Sequence, residues 1–151
     1  SLHTNDAPTA VTRMLDLGMP AYLINSTLLG VMAQRLVRTL CPHCKQPGEP
    51  PDDETWRAIT SPWRAEKPAQ VMAPVGCVEC RMTGYRGRIG LYEIMLMTPS
   101  IRKLVTTEAD DTKIREQAYK DGMKPLRVSG AMKVAAGLTS ADEVVKVAPL
   151  G

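Results

Sequence analysis

The chain has 151 residues, 44% hydrophobic and 23% charged, with a net charge of +3. That length allows one ordinary domain or two small ones, the composition is near-normal for a globular chain, and so small a basic excess does not by itself argue for nucleic acid. No apolar run approaches the roughly 18 residues of a membrane helix, because the longest, 21–33, is interrupted by Asn25, Ser26, Thr27 and Gly30.

The opening Ser1-Leu2-His3-Thr4-Asn5-Asp6 is polar and lacks the basic start of a secretory signal. Without an initiator Met, the chain is expected to be a piece of a longer protein. Asn5 or Asp6 can cap a first helix with Pro8 in its opening turn and Gly18 at its end. Pro20 opens a second helix predicted to reach about Ala33, apolar on most faces and so expected to be buried. Residues 34–40 then alternate polar and apolar, which predicts a strand running into Cys41.

Residues 45–70 hold five prolines and read as an insert whose one helix spans Asp52 to Ile59, capped by Asp52 or Asp53. Trp56 and Trp63 are expected to pack locally. From Gln70 to Met97 the pattern is strand-like around the turn-rich Gly84–Arg88, predicting a hairpin-like unit headed by Cys77 and Cys80. Four short helices follow. Thr98-Pro99 starts the first, and Asp111 or Thr112 the second, which stops at Gly122. Leu126 to Ala135 marks the third, ended by Gly137, and Ser140 caps the fourth, Ala141 to Val147. The fold class read from this order is α/β, mainly helical with short strands.

The cysteines carry the strongest chemical signal. Cys41-Pro42-His43-Cys44 and Cys77-Val78-Glu79-Cys80 are two C-x-x-C pairs, and there are no other cysteines. Two such pairs supply the four soft thiolates of a closed tetrahedral zinc site. Iron or an iron–sulfur group, or free or oxidised thiols, are the alternatives. Residues 45–76 between the pairs exceed the usual ribbon spacing, so a small insert must sit inside the site. His43 lies between two ligands, where an adjacent residue reaches the same ion poorly, and is expected to be an exposed knuckle residue. Arg81, Arg86 and Arg88 flank the second pair. They could contact an acidic protein partner or, less favoured here, nucleic acid.

Other chemistry is missing. No G-x-x-x-x-G-K-[ST] phosphate loop and no G-x-S-x-G elbow occur, and two histidines make no credible triad. On its residues alone the chain holds no complete active site.

The ordered motifs resemble one family. Leu2-His3-Thr4-Asn5-Asp6-Ala7 is similar to a histidine box, and Leu29 through Cys44 to the signature that follows it. Gly76–Cys80 followed by Thr83–Glu93 resembles the second half of a metal motif, and Gly137–Val145 also fits. The family is that of the type II secretion ATPases (general secretory pathway protein E) and the type IV pilus assembly ATPases. The resemblance implies a RecA-like, ATP-driven motor, normally a homohexamer at the cytoplasmic face of the bacterial inner membrane. Such a motor is peripheral there through membrane platform proteins, and it powers pseudopilus or pilus assembly.

By this resemblance residues 1–40 are the end of the RecA-like core, 41–97 a tetracysteine zinc subdomain with a small hairpin, and 98–151 a helical subdomain. Cys41, Cys44, Cys77 and Cys80 carry over as ligands of one structural Zn²⁺ per chain. His3 carries over as a group near the nucleotide γ-phosphate, a sensor or orienting residue. The phosphate loop and the acidic Mg²⁺ residues lie upstream in the family, so ATP and Mg²⁺ belong to the parent protein and this chain alone is not expected to hydrolyse ATP. Related retraction ATPases lack the tetracysteine insert, which points to the assembly or secretion side. A zinc-ribbon nucleic-acid module and a protein-docking module are the alternatives.

Overall fold

The computed structural model describes residues 2–150. In chain order the elements are α1 (Ala7–Asp16), α2 (Ala21–Thr27), β1 (Gly30–Leu40), β2 (Gln46–Gly48), α3 (Asp53–Thr60), β3 (Val71–Ala73), β4 (Tyr85–Leu96), α4 (Pro99–Leu104), α5 (Asp111–Lys120), α6 (Leu126–Ala135) and α7 (Ala141–Val147). The α/β class holds, with helices dominating. The chain forms two compact units: the stretch up to Ala33 with Tyr92–Pro125, and Gln34–Leu91 with the stretch from Leu126 onward.

In the first unit, α1 starts where the sequence places it. Asp6 accepts the Thr9 N–H at 3.0 Å, and Pro8 fills the first turn, where no N–H is needed. Ala7, Ala10 and Val11, spaced three and four apart, are buried on one face. The helix closes on Gly18, which takes φ of +93°. Thr98 caps α4 and Asp110 caps α5 by the same side-chain-to-backbone bond. Ile24, Met95, Ile101, Val105, Ile114 and Ala118 form the apolar interior, and α5 packs against α1 and α4.

The second helix is shorter than its sequence predicts. α2 ends at Thr27, not near Ala33, and only Ile24 in it is buried. Tyr22 is 75% exposed. The hydroxyls of Ser26 and Thr27 turn back to the Leu23 carbonyl at 3.1 and 2.6 Å, a local bond that competes with helix propagation. Beyond it the backbone finds a distant partner instead: Met97 N–H donates to the Leu29 carbonyl at 3.0 Å, and Gly30 opens β1. A Cβ at Gly30 would lie 3.1 Å from the Met95 carbonyl oxygen, so the close strand approach uses the glycine.

Strand pairing also differs from the expected hairpin. β4 pairs with β1, and β3 pairs with β2. Leu29 lies beside Met97 while Cys41 N–H donates to the Gly84 carbonyl at 2.9 Å, so β1 and β4 run antiparallel. β2 and β3 are antiparallel with Gln46 opposite Ala73 and Gly48 opposite Val71. Sequence periodicity identifies strand residues but not partners, and here both partners lie across the proline-rich insert.

In the second unit, α3 begins at its Asp52 cap as read, and Trp56 and Ile59 point inward. Helix α6 packs on α3 and α7. Gly130 sits inside α6 because a Cβ there would meet the Val144 methyls at 2.5 and 2.7 Å. The buried Arg127 holds two carbonyls, Ser61 at 2.7 Å and Pro149 at 3.3 Å.

The turn between α6 and α7 is tied to the end of β1. Leu40 N–H donates to Leu138 O at 2.9 Å, and the Thr139 hydroxyl donates to Arg38 O at 2.7 Å. Glu143 is buried and accepts three bonds from Arg38: the backbone N–H and Nε at 2.9 Å and Nη2 at 2.8 Å. The Arg38 guanidinium also lies 4.1 Å from the centre of the Tyr85 ring, and the Tyr85 hydroxyl meets Ser140 Oγ at 2.8 Å. Burial alone would raise the Glu143 carboxyl, but these Arg38 donors, with Lys146 adding to them, hold it below its ordinary value of 4.5.

A carboxyl lowered in the folded state contributes stability above its ordinary value and loses it as pH falls through the lowered one. Glu143→Gln is expected to cost about 1–3 kcal/mol at pH 7, toward the low end because Arg38 is half exposed. Urea unfolding at pH 7 and pH 3 checks it: the gap between the two proteins should shrink at the lower pH.

Candidate metal centre

Each C-x-x-C pair forms a compact knuckle in the second unit. In the first, Cys41 directly follows β1, and its carbonyl accepts the N–H of Cys44 at 3.4 Å and of Lys45 at 3.0 Å. In the second, Met82 N–H donates to Cys77 O at 2.8 Å and Arg81 N–H to Val78 O at 3.1 Å. This turn is tight enough to place Arg81 and Met82 in succession at φ of +55° and +64°. Two non-glycine residues in that region cost on the order of 1–2 kcal/mol each, so something beyond the turn must hold it.

The four sulfurs supply that closure. All lie within 4.8 Å of one another. The Cys41–Cys77, Cys44–Cys80 and Cys77–Cys80 separations are each 3.8 Å. A tetrahedron with metal–sulfur bonds of about 2.3 Å has edges of about 3.8 Å. Disulfide sulfurs would stand about 2.05 Å apart, so the four side chains are thiols in a metal-ligand arrangement. Cys41 and Cys80 are buried, while Cys44 and Cys77 are half-buried.

Backbone N–H groups point at the sulfurs. Cys44 Sγ accepts from Gly76 N at 3.3 Å, and Cys80 Sγ accepts from Cys77 N and Gly84 N, both at 3.2 Å. Such donors stabilise negative sulfur. Burial alone would raise the Cys80 thiol, but the Cys77 and Gly84 amides outweigh it and bring it down to about 6. Cys77 goes the other way, pushed up to about 11 by burial and by the sulfurs around it. One sulfur is thus ready to ionise first, and a bound cation would draw off the remaining protons.

Gly84 joins the two knuckles. Its N–H reaches Cys80 Sγ, and its carbonyl accepts from Cys41 N at 2.9 Å. Its φ is +83°, and a Cβ would lie 2.5 Å from Pro74 Cβ. Gly76, at φ +114°, has the same kind of limit against the Met82 carbonyl at 2.9 Å. From sequence Gly84 is recognisable only as a turn residue. Its place four residues after Cys80, where a left-handed amide can turn back on the sulfur, is the signal for its further part.

Other sequence-derived candidates fall outside the cluster. His43 is exposed, and its Nε2 faces Arg86 Nη1 at 3.4 Å, away from a ligand role. Arg81, Arg86 and Arg88 are exposed, with Arg86 also 3.5 Å from Glu79. Trp56 is buried and donates to Ala65 O at 2.9 Å, and Trp63 is half-buried. His3 belongs to the first unit, exposed and just ahead of the α1 cap. No helix among the described residues is long and apolar enough to cross a membrane.

The family model described as "Type II/IV secretion system protein" matches residues 1–146. The chain is similar to the type IV pilus assembly ATPase TfpB of Acinetobacter baylyi, at 48% identity over 150 residues, 99% of this chain and 26% of that protein. It is 42% identical over 147 residues to the type II secretion system ATPase E of Vibrio cholerae, covering 97% of this chain and 28% of that one. It is 40% identical over 147 residues to the type IV pilus assembly ATPase PilB of Pseudomonas aeruginosa, covering 97% and 26%. The chain therefore spans about a quarter of the length of these relatives.

The cluster makes a clear prediction about the knuckles. Chelation in reducing buffer, or Cys80→Ser, should speed hydrogen exchange at the amides of Gly76, Cys77 and Gly84 by at least about ten-fold, while α5 keeps its protection. Exchange mass spectrometry reads this directly, and unchanged exchange at Gly84 after full chelation would mean the hydrogen bonds hold the knuckles unaided.

Proposed function

The chain belongs to the type II/IV secretion system protein family, and on that footing we propose that it is the C-terminal, zinc-bearing part of a hexameric ATPase that powers type II secretion or type IV pilus assembly. The tetracysteine cluster carries the reading, because its spacing, its sulfur separations and its place between the flanking motifs all agree. Zn²⁺ is the ion that four thiolates at these separations suit best. Cys41, Cys44, Cys77 and Cys80 would hold it as a structural ion.

In this reading residues 1–40 close a RecA-like core, 41–97 form the metal subdomain and 98–151 a helical subdomain. His3 faces the nucleotide as a sensing or orienting group. The phosphate loop and the Mg²⁺ carboxylates come from the preceding part of the same protein. The motor works from the cytoplasmic face of the inner membrane, attached there through platform proteins. Zinc contributes rigidity: it fixes where β1 ends and β4 begins and keeps the insert at 45–76 folded back on itself.

Two measurements test this. The purified chain should bind one Zn²⁺ and release no phosphate from ATP, since it contains no G-x-x-x-x-G-K-[ST] loop; nucleotide-specific turnover by the chain alone would contradict the assignment. Replacing the matching quarter of the Acinetobacter baylyi or Vibrio cholerae relative by this chain should restore pili or secretion in the corresponding deletion strain. A stable chimera that hydrolyses ATP yet restores neither would overturn the proposal.

A further inference from the structure

Glu93 stands where a strand needs an apolar residue. On β4, Leu91, Glu93 and Met95 alternate inward, and Glu93 is 3% exposed. A carboxylate so placed is costly unless specific donors meet it. Its Oε1 accepts the Ala7 N–H at 2.8 Å, a bond spanning 86 residues to the first turn of α1. Ala7 is fully buried, so this donor has no water to replace the carboxylate.

A second clamp holds the same turn from α5. Arg115 Nε donates to Asp6 Oδ2 at 2.7 Å, and its Nη2 reaches Thr9 Oγ1 at 3.3 Å and Asp111 Oδ2 at 3.4 Å. Asp6 is also the α1 cap, so one carboxylate is shared between the helix start and α5. The Thr4 hydroxyl closes the turn by donating to Asp6 O at 3.1 Å. Residues 4–7 are thereby fixed on both sides, one residue after the exposed His3.

We propose that Glu93 and Arg115 are positioning residues that fix the turn carrying His3, so that the imidazole meets the nucleotide phosphate in one geometry. This rests on the reading of His3 given above. Packing alone does not require either group: an apolar residue would fill the Glu93 site without burying a charge, and Asp6 caps α1 without Arg115. Both are needed only if the segment ahead of the helix must be held still. Because Arg115 sits on α5 and Glu93 on β4, a shift of either element would move His3, giving the helical segment a route to the nucleotide.

The test uses the full-length ATPase of which this chain is the proposed C-terminal part. Glu93→Leu and Arg115→Leu are expected to lower kcat by about 10–100-fold, the scale of a misplacement near 1 Å. KM for ATP should stay within about two-fold, because the phosphate loop is untouched. Arg115→Lys, which keeps the charge, should recover part of the loss. Glu93→Gln, which retains a neutral acceptor for Ala7 N–H, should turn over faster than Glu93→Leu. If His3→Ala lowers kcat while a folded Glu93→Leu or Arg115→Leu protein turns over normally, the positioning role is wrong and the His3 reading stands. If His3→Ala has no effect, both fall.

Discussion

Four sulfurs drawn from two distant turns must meet at tetrahedral spacing, and much of the second unit follows from that requirement. Cys41 can reach Cys77 at 3.8 Å only if β1 ends beside the start of β4. The 45–76 segment must then leave and return at nearly one place, which the short β2–β3 pair and the α3 helix accomplish. Gly84 makes the meeting possible on the backbone side, bonding one knuckle's sulfur and the other's amide at once.

The remaining order in that unit is polar and specific. Arg38 grips Glu143, Tyr85 grips Ser140, and Lys45 Nζ donates to Gly137 O at 2.9 Å. All three tie the α6–α7 turn or the start of α7 to residues flanking the knuckles. The four-sulfur cluster gives these bonds a fixed frame, and with few aromatic residues available the unit depends on such anchors more than on a large core. The first unit uses buried charge differently. Its Glu93 and Arg115 converge on the start of α1, the segment that the family reading connects to nucleotide.

The caps were legible in the sequence because capping is local chemistry. Asp6, Asp52, Thr98 and Ser140 each accept the amide three residues on, as their spacing implies. The four cysteines were legible for the same reason, since C-x-x-C spacing constrains a turn by itself. What was hidden is non-local. β1 takes over residues 30–33 from the predicted helix because β4 offers a partner, and β4 pairs with β1 rather than with the strand residues just before it. Glu143, an acid in the first turn of α7, is a buried acceptor for Arg38, 105 residues away. Glu93 gave one usable sign, an acid on the inward side of an alternating strand.

The proposed centre is a metal held by four thiolates and nothing else. X-ray absorption at the zinc edge of the purified chain measures that shell. Four sulfur neighbours at about 2.3 Å with no nitrogen or oxygen are expected. A shell containing a histidine nitrogen or water, or a protein whose cysteines are disulfide-linked and metal-free under reducing preparation, would contradict it.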